Sequence, residues 1–296
     1  MRGRTTWLAR TAAFAGLTVL CFNACSQGKR GIVVGAKNFT EQIVLGEILA
    51  QQLERRLHVP VSRKLSLGGT LVAQGALASG SIDLYPEYTG TAFAAVLKEK
   101  PPAGSAAGLA RLDAEYNRRW HLNWLAPFGF NNTFAMVIRG DRSRNSNIRS
   151  LSDAARYTAG WRLGAGYEFA QRVDGLPGLM RTYSLPLKGS PITMDLGLLY
   201  QALVNGQADM VAASATDGLL AARDFVVLAD DKKFFPDYDC AVVAREEFLA
   251  DQAVRAALAE LSGKISELEM RRMNFEVDGK HRAPRDAAAE FLKARH

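Results

Sequence analysis

Short, uninterrupted apolar runs alternate along this chain with longer stretches in which apolar residues recur every three or four positions. Ile32-Val33-Val34, Phe134-Ala135-Met136-Val137-Ile138 and Ala241-Val242-Val243 belong to the first kind and predict strands covered on both faces. Residues 43–53 and 246–273 belong to the second kind and predict helices, with a shorter one over 287–293. Asn38 stands where a helix N-cap is wanted, and Glu41 three residues on completes a capping-box pattern. Strands that alternate with helices predict an α/β fold built on parallel sheets.

The pattern also echoes itself. Residues 76–83 read as a helix end, a stop at Gly80 and the start of a strand, and residues 202–209, with Gly206, read the same way 126 positions later. Residues 32–37 and 161–166 form a second matched pair, each a strand that runs into a loop. Two echoes in the same order predict two lobes, with a ligand cleft between them at the strands' carboxyl ends. The first lobe is expected to take residues 31–138 and, after the chain returns, 240–296; the second is expected to take 139–239. The polar run 139–147 is the expected crossing, 238–243 the expected return, and 98–108 an exposed excursion of the first lobe.

The N-terminus stands apart from both lobes. Arg2, Arg4 and Arg10 precede a short apolar run over 11–22, which predicts a secretory signal peptide over 1–24 rather than a membrane span. Cys25, directly after Ala24, is expected to carry a lipid in the manner of a bacterial lipoprotein. Cys21 would leave with the leader, and Cys240 then reads as a buried small hydrophobe. Loss of three arginines lowers the formal charge of +7 to +4, with no basic block, which argues against nucleic acid as a partner.

The chemistry concentrates in a few loops. Tyr85-Pro86-Glu87-Tyr88-Thr89-Gly90-Thr91 presents aromatic faces and hydroxyls where an apolar strand runs out, equipment suited to a small ligand with a diffuse positive charge. Lys37 precedes a helix N-terminus, where free N–H groups already favour an anion.

Taken together, Lys37-Asn38-Phe39-Thr40-Glu41-Gln42, Leu67-Gly68-Gly69-Thr70 and the Tyr85–91 segment resemble the substrate-binding proteins of osmoprotectant ABC importers, which bind glycine betaine, choline and carnitine. The resemblance runs on through Phe130-Asn131-Asn132-Thr133-Phe134, Arg172-x-Asp174-Gly175, Thr216-Asp217-Gly218 and Phe234-Phe235-Pro236-x-Tyr238. It implies a periplasmic-binding-protein fold of the type II, Venus-flytrap kind, working as a monomer without cofactor or metal. The implied partners are a quaternary ammonium or zwitterion, an ABC permease with its ATPase, and the membrane through a lipid on Cys25, at the outer face of the cell membrane or in the periplasm. It implies a cage of Tyr88, Phe134 and Tyr238 around the N-methylated cation, with Lys37, Thr91 and Arg172 at the ligand's carboxylate. Phe134 and Ser214 stand where tyrosines are usual: the phenylalanine keeps its ring face, and the serine leaves one wall open, unless Trp161 or Tyr167 fills it.

Two other readings remain. An exported α/β enzyme would draw its acid–base groups from Asp83, Glu87, Asp174 and Asp217, yet the chain has no nucleophile elbow and no full phosphate loop. His58, His121, His281 and His296 show no metal-ligand spacing. The expectation is binding, not catalysis. A sensor of the same fold would read identically in sequence.

Overall fold

The computed structural model describes residues 31–102, 104–221 and 223–295. The expected leader over 1–24 and the expected lipid site at Cys25 lie outside them. The described chain forms ten strands in two five-stranded mixed sheets. They are β1 (Ile32–Gly35), β2 (Val61–Lys64), β3 (Leu84–Tyr88), β4 (Leu122–Trp124), β5 (Phe134–Arg139), β6 (Leu163–Ala165), β7 (Ile192–Thr193), β8 (Met210–Ser214), β9 (Phe225–Val227) and β10 (Cys240–Arg245).

The first sheet has the order β2-β1-β3-β10-β4 and the second β7-β6-β8-β5-β9. The two orders are the same pattern. In each, three strands of one chain segment run parallel, and the fourth runs antiparallel after arriving from the other segment. The echo between 32–37 and 161–166 is therefore β1 against β6, and the echo between 76–83 and 202–209 leads into β3 and β8.

This exchange corrects one expectation. The first lobe is expected to hold residues 134–138, but β5 pairs with β8 and β9 in the second sheet, so the change of sheet falls before Phe134. The reason is burial on two faces. Met136 and Ile138 enter one apolar cluster of the second sheet while Ala135 and Val137 enter another. β10 does the same in the first sheet, with Cys240, Val242 and Ala244 on one side and Ala241 and Val243 on the other. Continuous apolar runs mark such doubly covered strands. The polar run after β5 is not a crossing but the helix Gly140–Ser146.

Helix Thr40–Leu57 buries Val44, Leu45, Ile48, Leu49 and Leu53 against the first sheet. Its N-cap is Phe39 rather than Asn38, and no side chain caps it. The expected helix over 246–273 is three helices, Glu246–Leu249, Gln252–Ala259 and Glu267–Asp278, with Gly263 at φ 65° between the last two. The last of these and helix Pro284–Lys293 pack Met270, Met273, Phe291 and Leu292 back onto the first-sheet core. The expected excursion at 98–108 gives way at Ser105 to a 16-residue helix, Ser105–Trp120, that buries Leu112 and Tyr116. Among the described residues, no helix is long and apolar enough to cross a membrane.

Candidate functional site

The two sheets are joined by adjacent crossing segments. Asn131 bridges Asp239, the Asn132 N–H donates to the Tyr238 carbonyl at 3.1 Å, and the Tyr238 N–H donates to Asn131 Oδ1 at 3.0 Å. These crossings bring Tyr238 and Phe134 to the ends of the strands, where both halves of the molecule meet. Phe134 packs against the main clusters of both sheets, and Tyr88 and Tyr238 share the first-sheet cluster with it.

The first half contributes Lys37, from the loop after β1, and Tyr88, which ends β3. Lys37 Nζ lies 2.6 Å from Glu87 Oε1 and 3.3 Å from Thr70 Oγ1, and sits over the Tyr88 ring at 4.8 Å from its centroid. Phe39 stacks near Tyr88, with centroids 6.3 Å apart. The Tyr88 hydroxyl donates to Glu41 Oε1 at 2.7 Å. Glu41 is a fully buried hub that also receives Asn132, Asn274 and Thr216. Burial pushes its pKa up, against the pull of those donors.

The second half contributes Phe134 at the start of β5 and Ser214 at the end of β8, which lie directly opposite each other in the ladder. The Phe134 ring makes edge contacts with Tyr238 at 5.5 Å and with Phe169 at 4.9 Å, and Phe235 lies 5.9 Å away. The Arg172 guanidinium lies over Phe134 at 5.4 Å and over Tyr238 at 6.0 Å. It donates two bonds to Asp174, at 2.9 and 2.5 Å, and one to Thr91 Oγ1 at 3.1 Å, across to the first half. Burial works against its charge, but Asp174 outweighs burial and raises its pKa. The Tyr238 hydroxyl also donates to Asp174, at 2.6 Å; burial, reinforced by that carboxylate, pushes its pKa up. Gly90 makes room for this ring: a Cβ there would stand 2.6 Å from Tyr238 Cδ1.

The sequence candidates thus gather in one place. Lys37, Tyr88 and Thr91 come from the first half, Phe134, Arg172 and Ser214 from the second, and Tyr238 from the return crossing. Among the described residues, neither suggested substitute has a ring contact with Phe134, the cross-strand partner of Ser214. Trp161 is fully buried, with its indole N–H on the Ala154 carbonyl, and Tyr167 is 58% exposed. The extra rings come from Phe39, Phe169 and Phe235. The carboxylates are the main omission of sequence reasoning. Glu87 and Asp174 pair with the two cations, and Glu168 reaches from the second half to the Thr70 N–H at 2.6 Å. Glu87 and Asp174 belong to the same motifs as Tyr88 and Arg172, a signal that was present; that each would pair with a site cation of its own half depends on side-chain packing, which the sequence does not record.

Comparison with known proteins identifies the family of the chain. A family described as the substrate binding domain of the ABC-type glycine betaine transport system matches residues 30–294. The carnitine transport binding protein OpuCC of Listeria monocytogenes is 32% identical over 268 residues, 90% of this chain and 87% of that one. A Helicobacter pylori protein named ergothioneine transport permease/ergothioneine binding protein EgtU is 32% identical over 267 residues; the chain covers only 48% of its length. A solved structure described as a glycine betaine/carnitine/choline ABC transporter superposes with a TM-score of 0.75 at 30% identity, over 90% of this chain and 98% of that one. The chain belongs to the family of substrate-binding domains of ABC-type glycine betaine transport systems.

Proposed function

We propose that this protein is the extracytoplasmic binding component of an ABC importer and takes a small quaternary-ammonium compound between its two halves. The observation that carries this reading is the behaviour of the chain's own cations. Arg172 lies over Phe134 and Tyr238, and Lys37 lies over Tyr88, so these ring faces already attract diffuse positive charge. A trimethylammonium group has no N–H to donate, so electron-rich faces select it where hydrogen bonds do not. On this reading Tyr88, Phe134 and Tyr238 hold the methylated head, and Lys37 and Arg172, which lie over these same rings, border the head as well as the polar end, with Thr91 beside Arg172. Ser214 leaves room for a bulkier head than a fourth ring would.

The ligand bridges the halves, shifts an open–closed equilibrium, and the closed monomer delivers it to the permease. A leader over 1–24 exports the chain and a lipid on Cys25 holds it at the membrane. The ligand leaves unchanged, since the family and the relatives carry the names of binding and transport proteins. A thermal-shift screen with glycine betaine, choline, carnitine, proline betaine and ergothioneine tests the reading, followed by calorimetry on Tyr238→Ala. At least one of these compounds is expected to raise the melting temperature, and Tyr238→Ala to weaken its binding while unfolding stays cooperative. Equal affinity in the variant removes the cage, and product formed on incubation removes the assignment as a pure binding protein.

A further inference from the structure

Glu168 lies on helix Tyr167–Gln171 of the second half, yet its carboxylate is seated in the first half. It accepts the Thr70 N–H at 2.6 Å and the Thr70 hydroxyl at 3.1 Å, at the amino end of helix Thr70–Ala78, and Arg172 Nη1 reaches it at 3.3 Å. The fit depends on Gly69, where an added Cβ would stand 2.5 Å from Glu168 Oε1. Burial opposes its charge, but Lys37, the Thr70 N–H and Arg172 together outweigh burial and hold its pKa below the usual carboxylate value.

The charges around this seat do not balance. Lys37 is paired with buried Glu87 at 2.6 Å, and Arg172 is paired with Asp174 through two bonds. Each cation is thus matched by a carboxylate of its own half, and Glu168 is a third carboxylate with no cation to itself. Lys37 is taken by Glu87 and the Thr91 hydroxyl by Arg172; the other nearby donors for a ligand's carboxylate, the Thr70 N–H and hydroxyl and one arm of Arg172, are held by Glu168. A zwitterion would have to displace it. A ligand with the same methylated head and no carboxylate meets a surplus of negative charge and displaces nothing.

We propose that Glu168 is a specificity-determining residue, supplying from within the protein the carboxylate that a betaine would bring and tuning the closed cleft for net cations over zwitterions. The inference rests on the reading of the cleft as a quaternary-ammonium site. Choline and glycine betaine isolate the variable, because they share a trimethylammonium head and differ in the group at the other end.

The test is calorimetry with both compounds on the wild type, Glu168→Gln and Gly69→Ala, with melting curves to confirm folding. Glutamine keeps an acceptor for the Thr70 N–H, so Glu168→Gln removes the charge and spares the brace between halves. The wild type is expected to prefer choline. Glu168→Gln is expected to lower the choline-to-betaine affinity ratio at least tenfold, with choline losing and betaine holding or gaining. Gly69→Ala, which pushes the carboxylate off its seat, moves the ratio the same way and stands in should Glu168→Gln fail to fold. A wild type that prefers glycine betaine overturns the proposal, as does a Glu168→Gln variant that weakens both ligands equally and so shows a brace alone. A wild type that binds neither compound removes the quaternary-ammonium reading itself, and this proposal with it, a result distinct from the other two.

Discussion

Lys37 shows at the scale of one residue how much of the site is paired charge. Its ammonium and the Glu87 carboxylate are both buried, 4% and 0% exposed, and removal of one strands the other. Lys37→Met is expected to cost about 3–5 kcal/mol in urea unfolding, and Lys37→Met with Glu87→Gln distinctly less, because stranding a buried charge costs more than replacing the pair. A single variant as stable as the double would contradict the pairing. Asp217 predicts a pH effect. Burial pushes its pKa up to about 7, with Asp278 and Glu41 adding like charge, so the folded state holds a proton that the unfolded chain has released by then. That stabilisation is full below the ordinary carboxylate value and is lost as pH rises through about 7. The melting temperature is expected to fall between pH 5 and pH 8, and Asp217→Asn to flatten the fall.

Among elements, the ladder between β5 and β8 decides most about the site. Phe134 and Ser214 are direct cross-strand partners, so a tyrosine at 214 would project on the same face as the Phe134 ring, about 4.5–5.5 Å away at Cβ. Ser214→Tyr is expected to tighten binding of a trimethylammonium ligand by about 2- to 30-fold, the worth of one cation–π contact. Calorimetry reads this directly, and weaker binding would mean that the wall is open for a bulkier head. The elements themselves were mostly legible, since β1, β5, β8 and β10 announce themselves as apolar runs. The sheet that β5 joins was not: an apolar run states that both faces are covered and is silent about which strands flank it. Helix ends were misread for a related reason. Asn38 has capping chemistry, but its N–H is drawn to the Gly68 carbonyl and the helix begins two residues later.

For the whole molecule, the proposed closure would rest on contacts from one half to the other. Arg172 Nη1 to Thr91 and Glu168 to Thr70 both cross the cleft, and the Tyr238 hydroxyl from the return crossing binds Asp174. Arg172→Lys keeps the charge and loses the fork, so one ammonium cannot hold Asp174 through two bonds and Thr91 as well. Ligand affinity is expected to fall at least tenfold by calorimetry, with a larger radius of gyration in small-angle scattering at saturating ligand. An unchanged radius would place closure elsewhere.

The amino-acid sequence by itself determined the α/β class, the internal echo, and the motifs that carry Lys37, Tyr88, Thr91, Phe134, Arg172, Ser214 and Tyr238, because periodicity, turn chemistry and motif order are local properties. Which sheet takes β5, that Glu41 is a buried hub, and that Glu87, Asp174 and Glu168 sit against the site's cations were decided only by tertiary structure. Partners such as Glu41 and Asn274, or Thr70 and Glu168, are far apart along the chain. A side chain's burial and its counter-charge arise when distant segments pack, and no local pattern records them.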